Sequence, residues 1–238
     1  MVSTYRSLLL SQHQYYSGYR FADVFAQLKR APDSVANRVR EIPGVSSVQT
    51  RVVHDVILDV PGLPEPATGR LVSIPDRRMP ILNDLFLRKG RYVAVGRSEE
   101  VIASEAFAEA NRLTLGDSVS GIINGRWKKL IIVGIALSPE YVYEVRSGAE
   151  FVPDNRRFGV LWMGYEALAS SFNMEGAFND VSLSLSFGAS EQNAITQLDQ
   201  ILTRYGGTGA YGREEQVSHR FLSDEISQNQ WNNGLYSI

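Results

Sequence analysis

Three histidines, His13, His54 and His219, are the side chains of this chain best suited to acid–base chemistry or metal binding at neutral pH. Each stands alone in the sequence, and His54 has a carboxylate, Asp55, directly after it. A zinc or catalytic site needs several such side chains together, and no local ligand cluster accompanies His54. The pattern therefore favours a histidine on a strand surface over a metal ligand or a general base.

Two adjacent carboxylate pairs, Glu99–Glu100 and Glu214–Glu215, are further candidates for acid–base chemistry. Neighbouring side chains point to opposite faces of a strand and do not meet on a helix, so neither pair forms an acid–base couple. The chain also has no phosphate-binding loop, dinucleotide fingerprint, nucleophile elbow or zinc-protease motif. We predict no catalytic, cofactor-binding or metal-binding residues. A hydrolase with a dispersed triad is the enzymatic alternative.

The basic segment around Trp127 contains Arg126, Lys128 and Lys129, which are residue types of a nucleic-acid contact. They alternate beside the turn-forming pair Asn124-Gly125, and this placement favours a solvated strand face. The net charge of -2 leaves no basic surplus to neutralise phosphates. Nucleic acid is therefore not an expected partner.

The composition of the 238 residues is that of a globular protein, with 44% apolar and 21% charged residues. A chain of this length can bury a core as one domain or as two small ones. The absence of cysteine excludes disulfides and a cysteine nucleophile, but it fits both a reducing cytosol and an extracytoplasmic location. No window approaches the roughly 20 apolar residues that a membrane-spanning helix needs.

A strand–helix–strand pattern begins near the start of the chain. The stretch Tyr19–Arg30 alternates with period two and predicts a half-buried strand. Pro32–Asp33 suits the first turn of a helix, which the Pro-Gly pair at 43–44 ends. Residues 46–60 are then predicted to form one long strand.

The same order recurs near the other end of the chain. Residues 178–187 alternate apolar side chains with serines, Ser190 is the predicted N-cap of a helix, and glycines at 206–209 end that helix before a short strand. Both units open with Phe-x-Asp-Val, at Phe21–Val24 and Phe178–Val181. We predict an α+β fold in which a split, duplicated β-α-β platform is interrupted by a mostly β subdomain.

The interrupting region, about residues 76–177, has short strands and turns. Ser104 is the predicted N-cap of a short helix within it. Asn124-Gly125 predicts a type I′ hairpin, because both central residues of that turn need positive φ.

The stretch from Pro139 to Met163 is rich in aromatic and arginine side chains and follows no single period. In one interpretation it is a folded connector whose rings cap the β core while its charged side chains pair locally. In the other it exposes a surface to a dimer mate or an extracytoplasmic partner, since these residue types are enriched in binding hot spots. The candidate surface residues are Tyr141, Tyr143, Arg156, Arg157 and Trp162.

Three blocks of sequence carry a family resemblance. They are YYSGYRFADVFAQLKRAP with IPGVSSVQTRV, then GRSEEVIASEAFAEANRLTLGDSVSGIINGRWKKLIIVGIALSPEYVYE, then PDNRRFGVLWM through GAFNDVSLSL to YGREEQVSHRFLSDEI. Over nearly its whole length the chain resembles the extracytoplasmic (periplasmic) domain of an FtsX-like, MacB-type ABC transporter permease. In that family the last block runs on into a transmembrane helix, whereas this chain continues with SQNQWNNGLYSI. The departure indicates an excised ectodomain, and a naturally soluble fragment is the other interpretation.

The resemblance implies five segments along the chain. Residues 1–17 are a stalk that follows a missing transmembrane helix, and residues 213–238 are a stalk helix that leads to another, with an expression tail at its end. Residues 18–75 and 178–212 are the two halves of a porter-like subdomain. Residues 76–177 are the inserted β-rich subdomain.

The resemblance also implies a non-enzymatic function on the periplasmic side of the cytoplasmic membrane, with the full-length protein anchored in it. The domain would couple ATP-driven motion of transmembrane helices to the handling of a substrate or a partner. The implied partners are a separate cytoplasmic ABC ATPase, a periplasmic adaptor or effector, and a second permease copy in the membrane. The alternative is an FtsX-like regulatory module that recruits an extracytoplasmic effector such as a cell-wall hydrolase.

Overall fold

The computed structural model describes residues 18–141 and 154–216, and it confirms an α+β fold. The strands are β1 (Val24–Pro32), β2 (Val45–Arg51), β3 (Val53–Asp59), β4 (Ala67–Ile74), β5 (Phe86–Gly90), β6 (Glu100–Ser104), β7 (Ser118–Ile123), β8 (Arg126–Leu137), β9 (Phe158–Gly164), β10 (Ala177–Leu185) and β11 (Ala210–Gly212). The helices are α1 (Val35–Arg40), α2 (Glu105–Ala110), α3 (Tyr165–Ser171) and α4 (Glu191–Leu202), with short 3-10 turns at Pro139–Tyr141, Thr203–Tyr205 and Arg213–Glu215.

The smaller sheet joins two strand–helix–strand units that lie far apart in sequence. Its strand order is β11-β1-β10-β2, and all its neighbouring strands are antiparallel. Helices α1 and α4 bury Val39 and Leu198 in one apolar cluster with Val24, Val181 and Leu183 of the sheet. Both helices therefore cover the same face of this sheet.

The larger sheet has the strand order β5-β8-β6-β9-β4-β3-β7, and β7 also pairs with β8. A barrel is thus closed by six strands, β8, β6, β9, β4, β3 and β7. Strand β5 pairs with the C-terminal end of β8, residues 134–137. The barrel interior is apolar, and Phe107 of α2 packs directly on Gly159, where any Cβ would overlap the ring. Close packing of this kind requires glycine at that position.

The outer face of the barrel is covered on one side. Ile81, Leu85 and Val93, which lie in the segment between β4 and β6, pack on the outward side chains of β4 and β9, including Trp162. The outer face formed by β3, β7 and the first half of β8 keeps exposed apolar side chains, Ile57 and Trp127. One side of the outer face is therefore covered by the chain, whereas the other side is exposed to solvent.

The long strand predicted over residues 46–60 is wrong, because the chain changes sheets at Val52. The Val52 N–H donates to Ser73 Oγ at 2.8 Å, and the Ser73 N–H donates to the Val52 carbonyl at 2.9 Å. These bonds hold the chain against β4 instead of β10. In strand pairing, residues 53–74 therefore belong to the barrel, which differs from the predicted boundary at residue 75.

The turn and cap predictions have mixed outcomes. The hairpin is confirmed, since Asn124 and Gly125 have φ of 48° and 73°, and the Ser190 cap is confirmed by its bond from the Asn193 N–H. Ser104 makes no side-chain cap, because its hydroxyl accepts from the Val160 N–H of neighbouring β9. Pro32 ends β1 instead of opening a helix, and the strand begins at Val24 instead of Tyr19.

The predicted stalk at residues 1–17 lies outside the described residues, as do most of the stalk helix predicted over residues 213–238 and most of the stretch between β8 and β9. The first residues of that predicted helix, Arg213–Glu215, form a 3-10 turn. Within the described ranges, no helix has the length and hydropathy that crossing a bilayer would require.

Candidate functional site

Charged side chains are buried where the smaller sheet meets the barrel. Arg51 ends β2 at the point where the chain passes to β3, and Asp180 faces it across the strand pair on β10. Glu140 reaches the same place from the 3-10 turn after β8. Arg51, Asp180 and Glu140 are only 4%, 6% and 7% exposed. We refer to these three residues with Asn83 and Ser182 as the junction cluster.

The guanidinium of Arg51 bonds both carboxylates. Its Nη1 and Nη2 donate to the two oxygens of Glu140 at 2.5 and 2.9 Å, and its Nε donates to Asp180 Oδ1 at 2.8 Å. Charge-assisted, forked contacts of this kind are the strong class of hydrogen bond. Arg51 therefore bridges two carboxylates that come from separate parts of the chain.

The junction cluster carries two carboxylates for one guanidinium. Burial raises the pKa of Asp180 above its ordinary value, and although Arg51 opposes this rise, the charge of Glu140 adds to it. Burial disfavours the charge of Arg51, but the two carboxylates together raise the pKa of Arg51. The arginine therefore stays charged, and Asp180 is the carboxylate whose pKa burial and crowding raise.

Asn83 connects the cluster to the beginning of the smaller sheet. Its Nδ2 donates to Glu140 Oε2 at 2.9 Å and to Ser182 Oγ at 3.3 Å, and its Oδ1 accepts from the Ala22 N–H at 2.9 Å. Asn83 has a φ of 54°, a left-handed conformation that asparagine tolerates better than most residues. One side chain thus bonds three separate elements.

A second amide joins the two sheets beside the cluster. Asn179 of β10 accepts from the Val53 N–H and donates to the Val53 carbonyl, both at 2.8 Å. Its amide therefore makes the two backbone hydrogen bonds that a neighbouring strand would otherwise make at the first residue of β3. Together with Arg51, this amide fixes the angle at which the chain leaves the smaller sheet.

The two ends of the described region are bonded to each other and to the cluster. Arg213 donates to the carbonyls of Phe21 and Ala22 at 2.7 and 2.9 Å and to Asp23 Oδ1 at 2.6 Å. Gln216 Nε2 donates to the carbonyl of Glu140 at 2.8 Å. Segments 18–23 and 213–216 therefore lie side by side, and the second of them reaches the junction cluster directly.

The side chains of the junction cluster are bonded mainly to one another. The two carboxylates are held by Arg51, and the hydroxyl of Ser182, the serine of the cluster, accepts from the Asn83 amide. Among residues 18–141 and 154–216, no group of His, Cys, Asp and Glu has the arrangement needed to hold a metal ion. What the cluster can do is tie the ends, the smaller sheet and the barrel into one unit.

His54 lies beside a cleft of about 240 Å³ next to the junction. Its ring stacks on Phe172, with centroids 3.9 Å apart and planes at 13°, and burial lowers the pKa of His54 despite the neighbouring charge of Asp55. The Asp55 carboxylate instead accepts from Arg70 at 2.8 and 2.9 Å. Asp55 therefore does not orient His54 as a base, and the position is that of a half-buried histidine on a strand.

The predicted surface residues do not form one patch. Trp162 is 2% exposed because the segment between β4 and β6 covers it, so its inclusion in a partner surface is wrong. Tyr141 is half-buried and packs edge-on against Trp162 at 6.2 Å. Arg156 and Arg157 are exposed at the opposite end of β9, roughly 16 Å away along the strand. Tyr143 lies outside the described residues.

The junction residues were missed as a site, although the repeated motif contains a signal for them. Asp23 and Asp180 hold the same place in the two Phe-x-Asp-Val motifs, and each carboxylate binds an arginine. Arg51 ends the second strand of the first unit, and Arg213 directly follows the second strand of the other. Each unit thus supplies the aspartate for the arginine of the other unit, a pairing that a search for catalytic motifs does not detect.

Comparison with known proteins gives matches to solved structures only. No family model matches the chain, and no curated protein matches it in sequence. The periplasmic region of MacB from Actinobacillus actinomycetemcomitans has 15% identity and a TM-score of 0.49, covering 93% of this chain and 98% of that chain. The extracellular domain of the noncanonic ABC-type transporter YknZ from Gram-positive bacteria has 15% identity and a TM-score of 0.46, covering 80% and 98%. Similarity at this level concerns only the arrangement of the helices and strands.

Proposed function

We propose that this chain is the non-catalytic, extracytoplasmic domain of an FtsX-like, MacB-type ABC transporter permease. In this proposal the smaller sheet and its helices are the porter-like platform, and the barrel is the inserted subdomain. The domain stands on the periplasmic side of the cytoplasmic membrane and passes motion of the membrane segments to a substrate or a partner. The resemblance of the three sequence blocks supports the class, and the bonding of the described ends supports the role.

The observation that carries the proposal is the continuous set of bonds from the ends to the junction. Displacement of segment 213–216 acts on Asp23 through Arg213 and on Glu140 through Gln216. Glu140 is bonded to Arg51, which sits where the chain enters the barrel. Because these contacts are buried or half-buried, and those of Arg213 and Arg51 are charge-assisted, they resist stretching more than solvent-exposed contacts do. Motion applied at the ends is therefore delivered to the connection between platform and barrel.

The implied partners follow from the same role. A separate cytoplasmic ABC ATPase supplies the motion through the transmembrane helices of the full-length permease, and a periplasmic adaptor or effector receives it. The chain itself has no phosphate-binding loop. The purified chain is therefore expected neither to bind nor to hydrolyse ATP, and an ATPase rate well above that of a mock purification would contradict the proposal.

The coupling role is tested in the full-length permease reconstituted with its ATPase. Arg213→Ala removes the bond between the ends, and Gln216→Ala removes the bond to the junction cluster. Both variants are expected to keep ATP hydrolysis while losing most of the transport or effector activation that depends on it. Arg97→Ala is the matched control, since it removes an arginine from an exposed ion pair with Glu99. If the first two variants behave like this control, the ends do not transmit motion.

Effector recruitment is the second candidate function, and the exposure of Arg156 and Arg157 favours it. Both side chains reach solvent at the start of β9, where a partner could contact them. A pull-down from an extracytoplasmic extract that yields one stoichiometric protein, lost in Arg156→Ala/Arg157→Ala, would support recruitment. Co-purified lipid or small molecule with no stoichiometric protein would favour transport.

A further inference from the structure

Three apolar side chains form a row on the uncovered outer face of the barrel. Ile57 on β3 pairs with Ile122 on β7, and Ile122 pairs with Trp127 on β8. Ile57 is 52% exposed and Trp127 is 65% exposed, with Ile122 half-buried between them. Contiguous apolar groups that stay in water mark interaction surfaces more often than single exposed residues do.

The next row of the same face carries opposite charges at its two edges. Asp59 on β3 pairs with Ser120 on β7, and Ser120 pairs with Lys129 on β8. Asp59 and Lys129 are both exposed, and two strand spacings, about 10 Å, separate their backbones. The face thus has an acidic edge at β3, an apolar centre at β7 and a basic edge at β8.

A surface with this polarity is complementary to itself. A two-fold axis that runs along β7 between two copies brings Ile122 against the same residue of the second copy. The same operation brings Trp127 against Ile57 and Lys129 against Asp59, and each of these contacts occurs twice. We propose that the chain binds a second copy of itself through this surface, which we define as Ile57, Asp59, Ile122, Trp127 and Lys129.

The strength of this contact follows from its size. Three partly exposed side chains offer far less than the about 800 Å² per partner of a stable interface, so self-association in free solution is weak. Two copies held on one membrane have an effective concentration of order millimolar, at which a weak contact is occupied. Occupancy of the contact on a membrane rests on the proposed function, whereas the test in solution needs only the surface itself, which includes no junction or end residue.

Thiol cross-linking tests the contact, because the 238-residue chain contains no cysteine. Ile122→Cys places a single thiol next to the axis, and because facing sheets pack about 10 Å apart, a cross-linker of about that length can join the two thiols. Phe187→Cys is the control, since Phe187 is fully exposed in the turn after β10. With a bis-maleimide cross-linker about 10 Å long, I122C is expected to give about fivefold or more cross-linked dimer than F187C at equal concentration. Equal or smaller trapping of I122C would overturn the proposal.

Charge reversal then tests the orientation. In the I122C background, Lys129→Glu and Asp59→Lys each put like charges in contact twice, and each is expected to lower trapping about three- to tenfold. An equimolar mixture of these two variants, one of them carrying a mass tag, restores both attractive contacts. The mixed dimer is therefore expected to form at the level of I122C alone. If the reversals change nothing, or if the mixture stays as weak as its components, two copies do not meet in this way.

Discussion

The two Asp–Arg pairs of the smaller sheet hold equivalent places in its two units, but their environments differ. Asp180–Arg51 has side chains that are 8% and 5% exposed, whereas those of Asp23–Arg213 are 29% and 30% exposed. Both pairs have a shortest N–O distance of 2.6 Å. The difference therefore lies in what covers each pair, since the turn at Pro139–Tyr141 adds Glu140 to the first one only.

The inserted region has therefore changed one of the two Asp–Arg contacts and not the other. In bulk water, two charges at 4 Å interact by about 1 kcal/mol, and the interaction grows as water is excluded, reaching about 4 kcal/mol at the effective dielectric near a protein surface. Burial also makes an unpaired partner costly. The half-exposed pair can therefore open and close at small cost, whereas the buried pair fixes the geometry of the junction.

The largest effect is expected for Arg51→Ala, which leaves Glu140 and Asp180 buried without their cation. We expect the free energy of unfolding at pH 7 to fall by about 3–5 kcal/mol in urea titrations. Arg157→Ala is the matched control on an exposed pair, and its expected cost is at most about 1 kcal/mol. Similar costs for the two variants would show that burial does not distinguish these arginines.

A smaller loss is expected for Asn83→Ala, which removes the amide that the buried cluster shares with the Ala22 N–H. The unfolding free energy should fall by about 1–3 kcal/mol, because Glu140 and Ala22 lose partners away from water. Asn193→Ala serves as an exposed control, since its side chain bonds Gln197 on the surface of α4. A cost for N83A that is no larger than that control would contradict the importance of the cluster.

The half-exposed pair should be less sensitive than its buried counterpart. Arg213→Ala is expected to lower the unfolding free energy by about 1 kcal/mol, since water can replace its bonds to Asp23 and the nearby carbonyls. Amide hydrogen exchange in segment 18–23 should accelerate much more than exchange in β10, because the change is confined to the ends. Loss of stability equal to that of R51A would remove the contrast between the two pairs.

A pH titration of Asp180→Asn tests the charge of the buried carboxylate with little change in the shape of the side chain. The pKa of Asp180 is raised in the folded state, so its protonation stabilises the fold; this contribution is complete below the unfolded pKa and is lost as pH rises through the folded pKa. Asp180→Asn lacks this dependence. The unfolding free energy of the unmodified chain minus that of D180N should therefore decrease between pH 4 and pH 7. An increase over that range would mean that Arg51 outweighs burial.

Much of the smaller sheet and one hairpin of the barrel could be predicted from local patterns. The alternation in β10, the Ser190 cap and the Asn124-Gly125 hairpin depend on residues within a few positions of one another. The break at Val52 could not be predicted, because residues 46–60 contain no glycine or proline to mark it and the change of sheet depends on Ser73 and Asn179. Local periodicity reports which face a residue uses and not which sheet it joins.

The contacts of the candidate site are even less accessible to prediction from local sequence patterns. Arg51 bonds Glu140 and Asp180, which are 89 and 129 positions away, and Arg213 meets Asp23 across 190 positions. The sequence by itself determined the two repeated units and the aspartate that each carries, because these follow from local composition and spacing. Only the tertiary structure decided which arginine each aspartate binds and which pair is buried, because the barrel and the turn before residue 141 pack over one unit and not over the other.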